Sequence, residues 1–440
     1  MIPTLRLYGL LIFGAAITTL FALLWPGKGG LGLALLLLLL YDVAILAAMV
    51  MDGIRSRSQR VEVIRQPISR LSIGRDNPIT LTVCAKNSGA IVQIRDTYPR
   101  QHFSVSQATL EASLAPQETL DLTYQAKPTY RGSYTWGKIA VRQLSGWKLL
   151  WMDWTVAEST PVEVFPDLIG LRSLSIRLAL QATGNLRQNR RIGMGTEFAE
   201  LRDYATGDDP RLIDWKATAR RDRPLVRVLE PEQEQTLIIL LDRGRLMTAQ
   251  VNGLQRFDWG LNATLSLALT ALKRGDRVGV GVFDRALHTW IPPQRGDRQL
   301  TQLLERLTPI QPDFIEPDYL GTINTVTQQQ HRRALVVMIT DIVDEIASME
   351  LLNAMGRLAP RYLPFCVALR DSQIDRQAHE FSSEVAENYA RAVALDLINQ
   401  RQVAFAKLKQ KGVLVLDAPA DQITDQLIDR YLQLKLRNQL

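Results

Sequence analysis

The chain has few of the groups that usually carry chemistry. Its 440 residues include only two cysteines and four histidines. Cys84 and Cys366 each lie inside an apolar run, LTVCA and LPFCVAL, which points to core packing and not to a disulfide or a metal ligand. His102, His288, His331 and His379 are scattered, with no H-E-x-x-H or comparable ligand spacing. There is no G-x-x-x-x-G-K-[ST] phosphate loop, so the chain does not read as an ATPase itself, and no G-x-S-x-G elbow. Nothing nominates an enzyme. Charge of one sign is also scarce: the net +7 is modest, and no basic run is interleaved with aromatics. The excess reads as membrane-flanking and surface charge, not as a nucleic-acid footprint.

Long apolar runs are present, and they open the chain. Residues 5–25 and 31–51 are each about 20 residues of mostly apolar side chains, enough to cross a hydrocarbon core of ~30 Å as helices. Trp25-Pro26-Gly27-Lys28 separates them. The expectation is a two-helix transmembrane hairpin over residues 1–55. A cleaved signal peptide is the rival for the first run, but a second and longer run follows where a cleavage site would belong. Arg6 precedes the first run and Arg55, Arg57, Arg60 and Arg65 follow the second, whereas the turn holds only Lys28. This predicts a two-pass cell-membrane protein with both termini and the bulk of the chain in the cytoplasm. Asp42 lies midway along the second run, where an unpartnered ionisable group costs at least ~2.5 kcal/mol. The expected partner is Thr18 across the hairpin; the alternative is a further membrane helix.

The pattern changes over residues 60–166. ITLTVCAKN, TLDLTYQAK, SYTWGKIAVRQL and TPVEVFP show period-two apolar spacing, broken by turn sequences about every ten residues. That argues for an all-β sandwich domain. Trp147, Trp151 and Trp154 read as its core or its contact with the next domain; the alternative is the membrane interface.

Over residues 236–440 strands and helices alternate. TLIILLD, RVGVGVFD, ALVVMITD, YLPFCVAL and GVLVLDAP are apolar strands, and residues 258–273 and 382–411 are helical in period. This order implies a mainly parallel sheet with helices on both faces. Ligands of such sheets gather at the carboxyl ends of the strands, where Asp242, Asp284 and Asp341 fall.

Residues 167–235 look like a folded brace between the two domains. Thr196 can cap a helix with Glu197 in its first turn, Phe198, Leu201 and Ala205 would share one face, and Gly207 would end it. Asp209-Pro210 reads as a second helix start, with Ile213 and Trp215 as anchors. Within this segment G-x-EF-x-x-LR-x-Y-x-x-GDD-x-R-x-IDW-x-A-x-AR, residues 195–220, resembles the signature of a bacterial membrane protein family, domain of unknown function 58. RGSYTWG at residues 131–137 and the apolar start match it as well.

That family is often described as MoxR-associated, so the resemblance implies a von Willebrand factor A-like α/β domain and a MoxR-type AAA+ ATPase as partner. The A-like fold often binds a divalent cation through D-x-S-x-S plus a later Thr and Asp. Here Asp242 and Asp341 match the aspartates, but Gly244 and Leu246 stand where the serines belong, and Thr322 or Thr325 supplies the threonine. Arg243 and Arg245 add charge that opposes a cation, and an arginine could replace the metal by pairing with Asp242 or Asp341. The expectation is a metal-free recognition surface, with Mg²⁺ at Asp242, Asp341 and Thr322 as the alternative. Asp208, Asp209, Arg211, Asp214, Trp215, Arg220, Arg221, Arg243 and Arg245 are the candidate docking residues, unless the segment is a brace of internal ion pairs. The function expected is a membrane-anchored interaction or scaffold protein that assembles or matures envelope complexes, with the lipid bilayer and the ATPase as partners and no nucleic acid. The rivals are a metal-dependent enzyme or switch using Asp242 and Asp341, and a purely structural membrane protein.

Overall fold

A computed structural model describes residues 2–24, 28–68, 70–156, 159–185, 197–230, 235–359, 361–381 and 384–437. The protein divides into two compact units, Met1–Phe165 and Pro166–Leu440. Residues 166–235 therefore fall in the same unit as the α/β sheet.

The first unit opens with two apolar helices, Leu5–Leu24 and Lys28–Ser58. Gly32–Ser58 is long and apolar enough to cross a membrane, and Leu5–Phe21 is a shorter apolar segment. Leu5, Leu23, Leu39 and other large side chains are exposed along both. The helices touch where Gly14 faces Tyr41: a Cβ on Gly14 would lie 2.2 Å from the ring. The Tyr41 hydroxyl donates across the pair to the Leu10 carbonyl, 3.0 Å away. The expected bond from Thr18 to Asp42 is not the one formed; the Thr18 hydroxyl donates along its own helix to Gly14 O at 3.0 Å and to Ala15 O. A threonine in a helix has a backbone carbonyl within reach one turn back, and that acceptor wins.

The end of the second helix is fastened to the β layers. Asp52, buried, accepts from the Trp147 amide at 3.1 Å, and Ser56 accepts from Gly146 N at 3.3 Å. The layers are three sheets of five, four and three strands with alternate side chains buried, as in Asn77–Cys84 and Ala90–Asp96. Those alternating strands and their separating turns follow the sandwich pattern. The core holds a polar chain: Trp136 Nε1 donates to Tyr124 Oη at 2.9 Å, Tyr124 Oη to Asp96 Oδ2 at 2.8 Å, and Arg65 pairs with Asp96. Burial, reinforced by the Asp96 charge, pushes the Tyr124 hydroxyl far up, so it stays a donor. Among the described residues the buried tryptophan is Trp136. Trp147 is 45% exposed, and Trp151 and Trp154 are half-buried, so none of these three is a core residue.

In the second unit six strands form one sheet in the order Leu287–Gln294, Arg277–Phe283, Thr236–Asp242, Leu335–Thr340, Leu363–Arg370 and Leu414–Pro419. The first pair is antiparallel and all later pairs are parallel. LHTWIPP is therefore an edge strand. The central strand shows why the runs are unbroken: Leu237, Ile239 and Leu241 pack on one face, Ile238 and Leu240 on the other. Helices Arg256–Lys273 and Ile423–Leu436 cover the first face; Tyr319–Gln329, Met349–Leu358 and the end of Val385–Gln410 cover the second. Leu171 and Leu174 of Leu168–Asn185 join the first core, which is why Arg256–Lys273 is buried almost all round.

Candidate functional site

Parallel strands collect their carboxyl ends at one edge, and the structure brings Asp242, Asp284 and Asp341 there. Asp242 ends its strand, Asp341 follows the neighbouring strand Leu335–Thr340, and Asp284 follows Arg277–Phe283 on the other side.

Asp242 is wholly buried. Its Oδ1 accepts from Gly244 N at 2.7 Å, and its Oδ2 from Thr340 Oγ1 at 2.6 Å and Tyr319 Oη at 3.2 Å. Burial pushes its carboxyl up to about 6, against the pull of those three donors and with help from the Asp341 charge. Burial, and then the Asp242 charge, likewise raises the Tyr319 hydroxyl well above its ordinary range.

Asp341 has both oxygens occupied. Oδ1 accepts from Arg401 Nη1 at 2.7 Å and from Ile342 N at 2.8 Å, and Oδ2 pairs with Arg256 Nη1 at 2.9 Å. Arg401 also donates to the Ile342 carbonyl and reaches Asp417 Oδ1 at 3.0 Å; the other oxygen of Asp417 takes Arg370 Nη1 at 3.0 Å. Burial lowers the Arg401 pKa, but Asp341 and Asp417 outweigh it and hold the guanidinium charged. Of the predicted acidic rim, Asp242 is thus buried among neutral donors, Asp341 is buried between two arginines, and Asp284 is half-buried.

These residues do not fit a hard divalent cation, which needs several free oxygen ligands. The Asp341 oxygens already serve guanidinium groups, whose charge opposes a metal. Thr322 and Thr325 donate to Asp318 O at 2.7 Å and Gly321 O at 2.8 Å on their own helix, and neither hydroxyl is among the donors to Asp242. Nor can a serine simply replace Gly244: its Cβ would lie 2.7 Å from Ile315 O and 3.0 Å from Asp242 Oδ1. Among the described residues no group of three or more His, Cys, Asp or Glu could hold a metal. Arg243 and Arg245 pair with neither Asp242 nor Asp341; they pair with Asp284 at 2.8 Å and Glu316 at 2.6 Å. Burial raises the Asp284 carboxyl, but the Ala286 amide and Arg243 together hold it below the usual range. A cavity of about 430 Å³ lies beside Arg243, lined also by His288, Arg306 and Asp313.

Sequence reasoning missed Thr340, Tyr319, Arg256, Arg401 and Asp417. One signal was available: Arg401 shares the spacing of Ala394, Ala404, Phe405 and Leu408 on the buried face of its helix. A cation on an apolar face needs a buried carboxylate.

The segment before the sheet is an arm, and here the expectation of a helix fails. Glu197–Asp203 is a strand antiparallel to Leu225–Glu230, with a register shift between Phe198 and Glu200. The three-residue step from Phe198 to Leu201 suits a helix, but the backbone there is a strand whose register shifts within that step. Thr196 lies outside the described residues. Gly207, at φ +111°, serves a turn between Ala205 and Asp208. The second start is as read: Asp209 Oδ1 accepts from Arg211 N at 2.9 Å, and Pro210–Leu212 is a short 3₁₀ turn. Helix Trp215–Arg221 follows, capped by Asp214, whose Oδ1 accepts from Ala217 N at 3.0 Å and whose Oδ2 takes Arg227 Nε at 2.9 Å. The Ala217 amide and Arg227 hold the Asp214 carboxyl below the usual range, and the Ala205 amide and Arg202 do the same for Asp208. Trp215 is no anchor, since it is 69% exposed.

The molecule thus joins apolar N-terminal helices and layered β-sheets to an α/β unit whose strand-end carboxyl groups Asp242 and Asp341 are buried and hydrogen-bonded. Residues 200–376 match the family described as "Protein of unknown function DUF58", the family whose signature the arm resembles. The uncharacterized protein Rv1480 of Mycobacterium tuberculosis (strain H37Rv) is 27% identical over 219 residues, covering 46% of this chain and 69% of that protein. The uncharacterized protein YeaD of Bacillus subtilis (strain 168) is 27% identical over 147 residues, covering 33% of this chain and 35% of that protein. Among solved structures, the conserved hypothetical protein BatB from Bacteroides thetaiotaomicron aligns at 14% identity and TM-score 0.32, over 46% of this chain and 99% of that one.

Proposed function

We propose that this chain is a membrane-anchored interaction protein whose α/β unit is a metal-free relative of the von Willebrand A-like domain. The sheet order supports that fold: one antiparallel edge strand, then parallel strands with Asp242 and Asp341 at adjacent carboxyl ends. One observation carries the functional reading. Arg401 and Arg256 fill both oxygens of Asp341 where a cation-dependent site would keep them free. Such a cluster holds loops in place and takes no part in turnover. The span Gly32–Ser58 and the Leu5–Leu24 helix packed on it at Gly14 support a two-pass anchor. Arg55 and Arg57 in the last helical turn support a cytoplasmic α/β unit.

The resemblance supplies the partner, a MoxR-type AAA+ ATPase, and with it a role in assembling or maturing envelope complexes. The test is co-purification of the full chain, solubilised from its own membrane, with the MoxR-type ATPase of the same cell. Stoichiometric recovery supports the reading. Absence of the ATPase in every nucleotide state would leave a purely structural membrane protein. Calorimetry with Mg²⁺ and Mn²⁺ tests the metal-dependent rival, which requires heat of binding at millimolar ion.

A further inference from the structure

The arm holds the strongest unexplained surface. Asp203, Asp208, Asp209 and Asp214 are engaged within it. Asp203 pairs with Arg223 at 3.1 Å, and Asp208 with Arg202 at 2.5 Å. Asp209 and Asp214 cap the two short helical turns. The cations are not matched in the same way. Over residues 209–223, Arg211, Lys216, Arg220 and Arg221 have no ion pair among the described residues, against Asp209 and Asp222 on the acidic side. Trp215 stands among them with 69% of its surface in water. A cation in the last turn answers the helix dipole, but that explains neither an exposed indole nor Arg211 and Lys216.

The surface is also pre-organised. Asp214 N donates to Leu225 O at 2.9 Å, Leu225 N donates to Thr218 Oγ1 at 3.0 Å, and Asp222 closes the helix at φ +54°. Little ordering is left for a binding event to impose.

We propose that Trp215, Arg211, Lys216, Arg220 and Arg221 form a docking surface for an acidic face of a partner protein, with the indole as its apolar anchor. Tryptophan and arginine are the residue types that dominate protein interfaces when packed centrally. A bilayer surface fits less well. An interfacial helix buries a broad apolar face, and Trp215–Arg221 (WKATARR) offers one large apolar side chain. Single-stranded nucleic acid would use several aromatic platforms, and the helix has one. The inference rests on the reading of the chain as an interaction protein, and it narrows the candidate docking residues to the unpaired cations around one exposed indole and states the chemistry of what they bind.

The experiment places the photo-crosslinker p-benzoylphenylalanine at position 215 of the full chain in its own cells. A protein adduct is expected whose yield falls about tenfold when Lys216, Arg220 and Arg221 are all changed to Glu. Changing acidic residues at the adduct site of the partner to Lys should then restore the yield. Lys216→Arg with Arg220→Lys and Arg221→Lys should keep it, which separates lost charge from lost folding. Adducts to lipid only, no adduct, or a protein adduct indifferent to charge reversal would each overturn the proposal. If the ATPase co-purifies while position 215 captures nothing, the surface fails alone. If position 215 captures a different acidic protein with charge-swap rescue, the surface stands and the ATPase assignment falls.

Discussion

Arg401 donates to Asp341 across sixty residues of sequence, Nη1 to Oδ1 at 2.7 Å, with both side chains about 6% exposed. A buried ion pair adds little stability compared with an apolar pair of the same shape. Removing one partner is costly, because it strands the other charge in a medium that cannot solvate it.

Arg401→Met should therefore destabilise the α/β unit by roughly 3–5 kcal/mol, since it leaves Asp341 to Arg256 and Asp417 to Arg370. Asp341→Asn in the same chain should recover part of that loss. A double-mutant cycle on urea unfolding reads the coupling. Additive losses would mean that the pair does not act as one unit.

Asp242 predicts a pH dependence of definite sign. Its folded pKa, about 6, lies above the ordinary 3.8, so the native state keeps a proton that the unfolded chain has lost. The contribution of this group to stability is full below about pH 4 and declines as pH rises through 6. Asp242→Asn removes the dependence. Relative to the variant, the parent should lose roughly 1–3 kcal/mol between pH 4 and pH 7. Urea unfolding of both chains at the two pH values measures it, and a constant difference would contradict the raised pKa.

The legible parts of this fold are those in which one period runs unbroken. TLIILLD and LVVMIT are continuous apolar strands because both faces of the sheet are covered, and the aspartate that closes each run is visible in sequence. The arm is illegible because the sequence spacing of Phe198, Leu201 and Ala205 imitates a helix where a strand forms, and because its pairing partner, Leu225–Glu230, lies beyond two intervening turns. Part of the site is legible: Asp242 and Asp341 stand at the expected edge. What fills their oxygens is not, because Arg401 comes from a helix sixty residues on and Thr340 looks like the last residue of an apolar strand. Pairings of that range are fixed by topology, and local pattern carries no trace of them.

The N-terminal helices offer a test of close packing. A Cβ at position 14 would lie 2.2 Å from Cε1 of Tyr41, so Gly14→Ala forces the ring away and strains its hydrogen bond to Leu10 O. The expected cost is about 1–3 kcal/mol, seen as a lower melting temperature of the detergent-solubilised chain. In a chain that already carries Tyr41→Ala, adding Gly14→Ala should cost little. If Gly14→Ala alone melts like the parent, the two helices do not meet at this point.

A serine introduced at position 244 asks whether one substitution can make the carboxyl edge bind a cation. The geometry says it cannot. The new Cβ would press on Ile315 O at 2.7 Å and on Pro317 Cδ at 3.0 Å, both belonging to a loop tied to Arg245 by a backbone hydrogen bond of 2.9 Å. Even with that loop displaced, Asp341 would still be held by Arg256 and Arg401. Gly244→Ser should thus lower stability by roughly 1–3 kcal/mol and still give no heat with millimolar Mg²⁺ or Mn²⁺. Adding Arg401→Met and Arg256→Met frees the Asp341 oxygens, and binding heat in that triple variant alone would identify the guanidinium groups as the barrier to the metal. Heat in the parent chain or in Gly244→Ser alone would show that the arginines do not close the site.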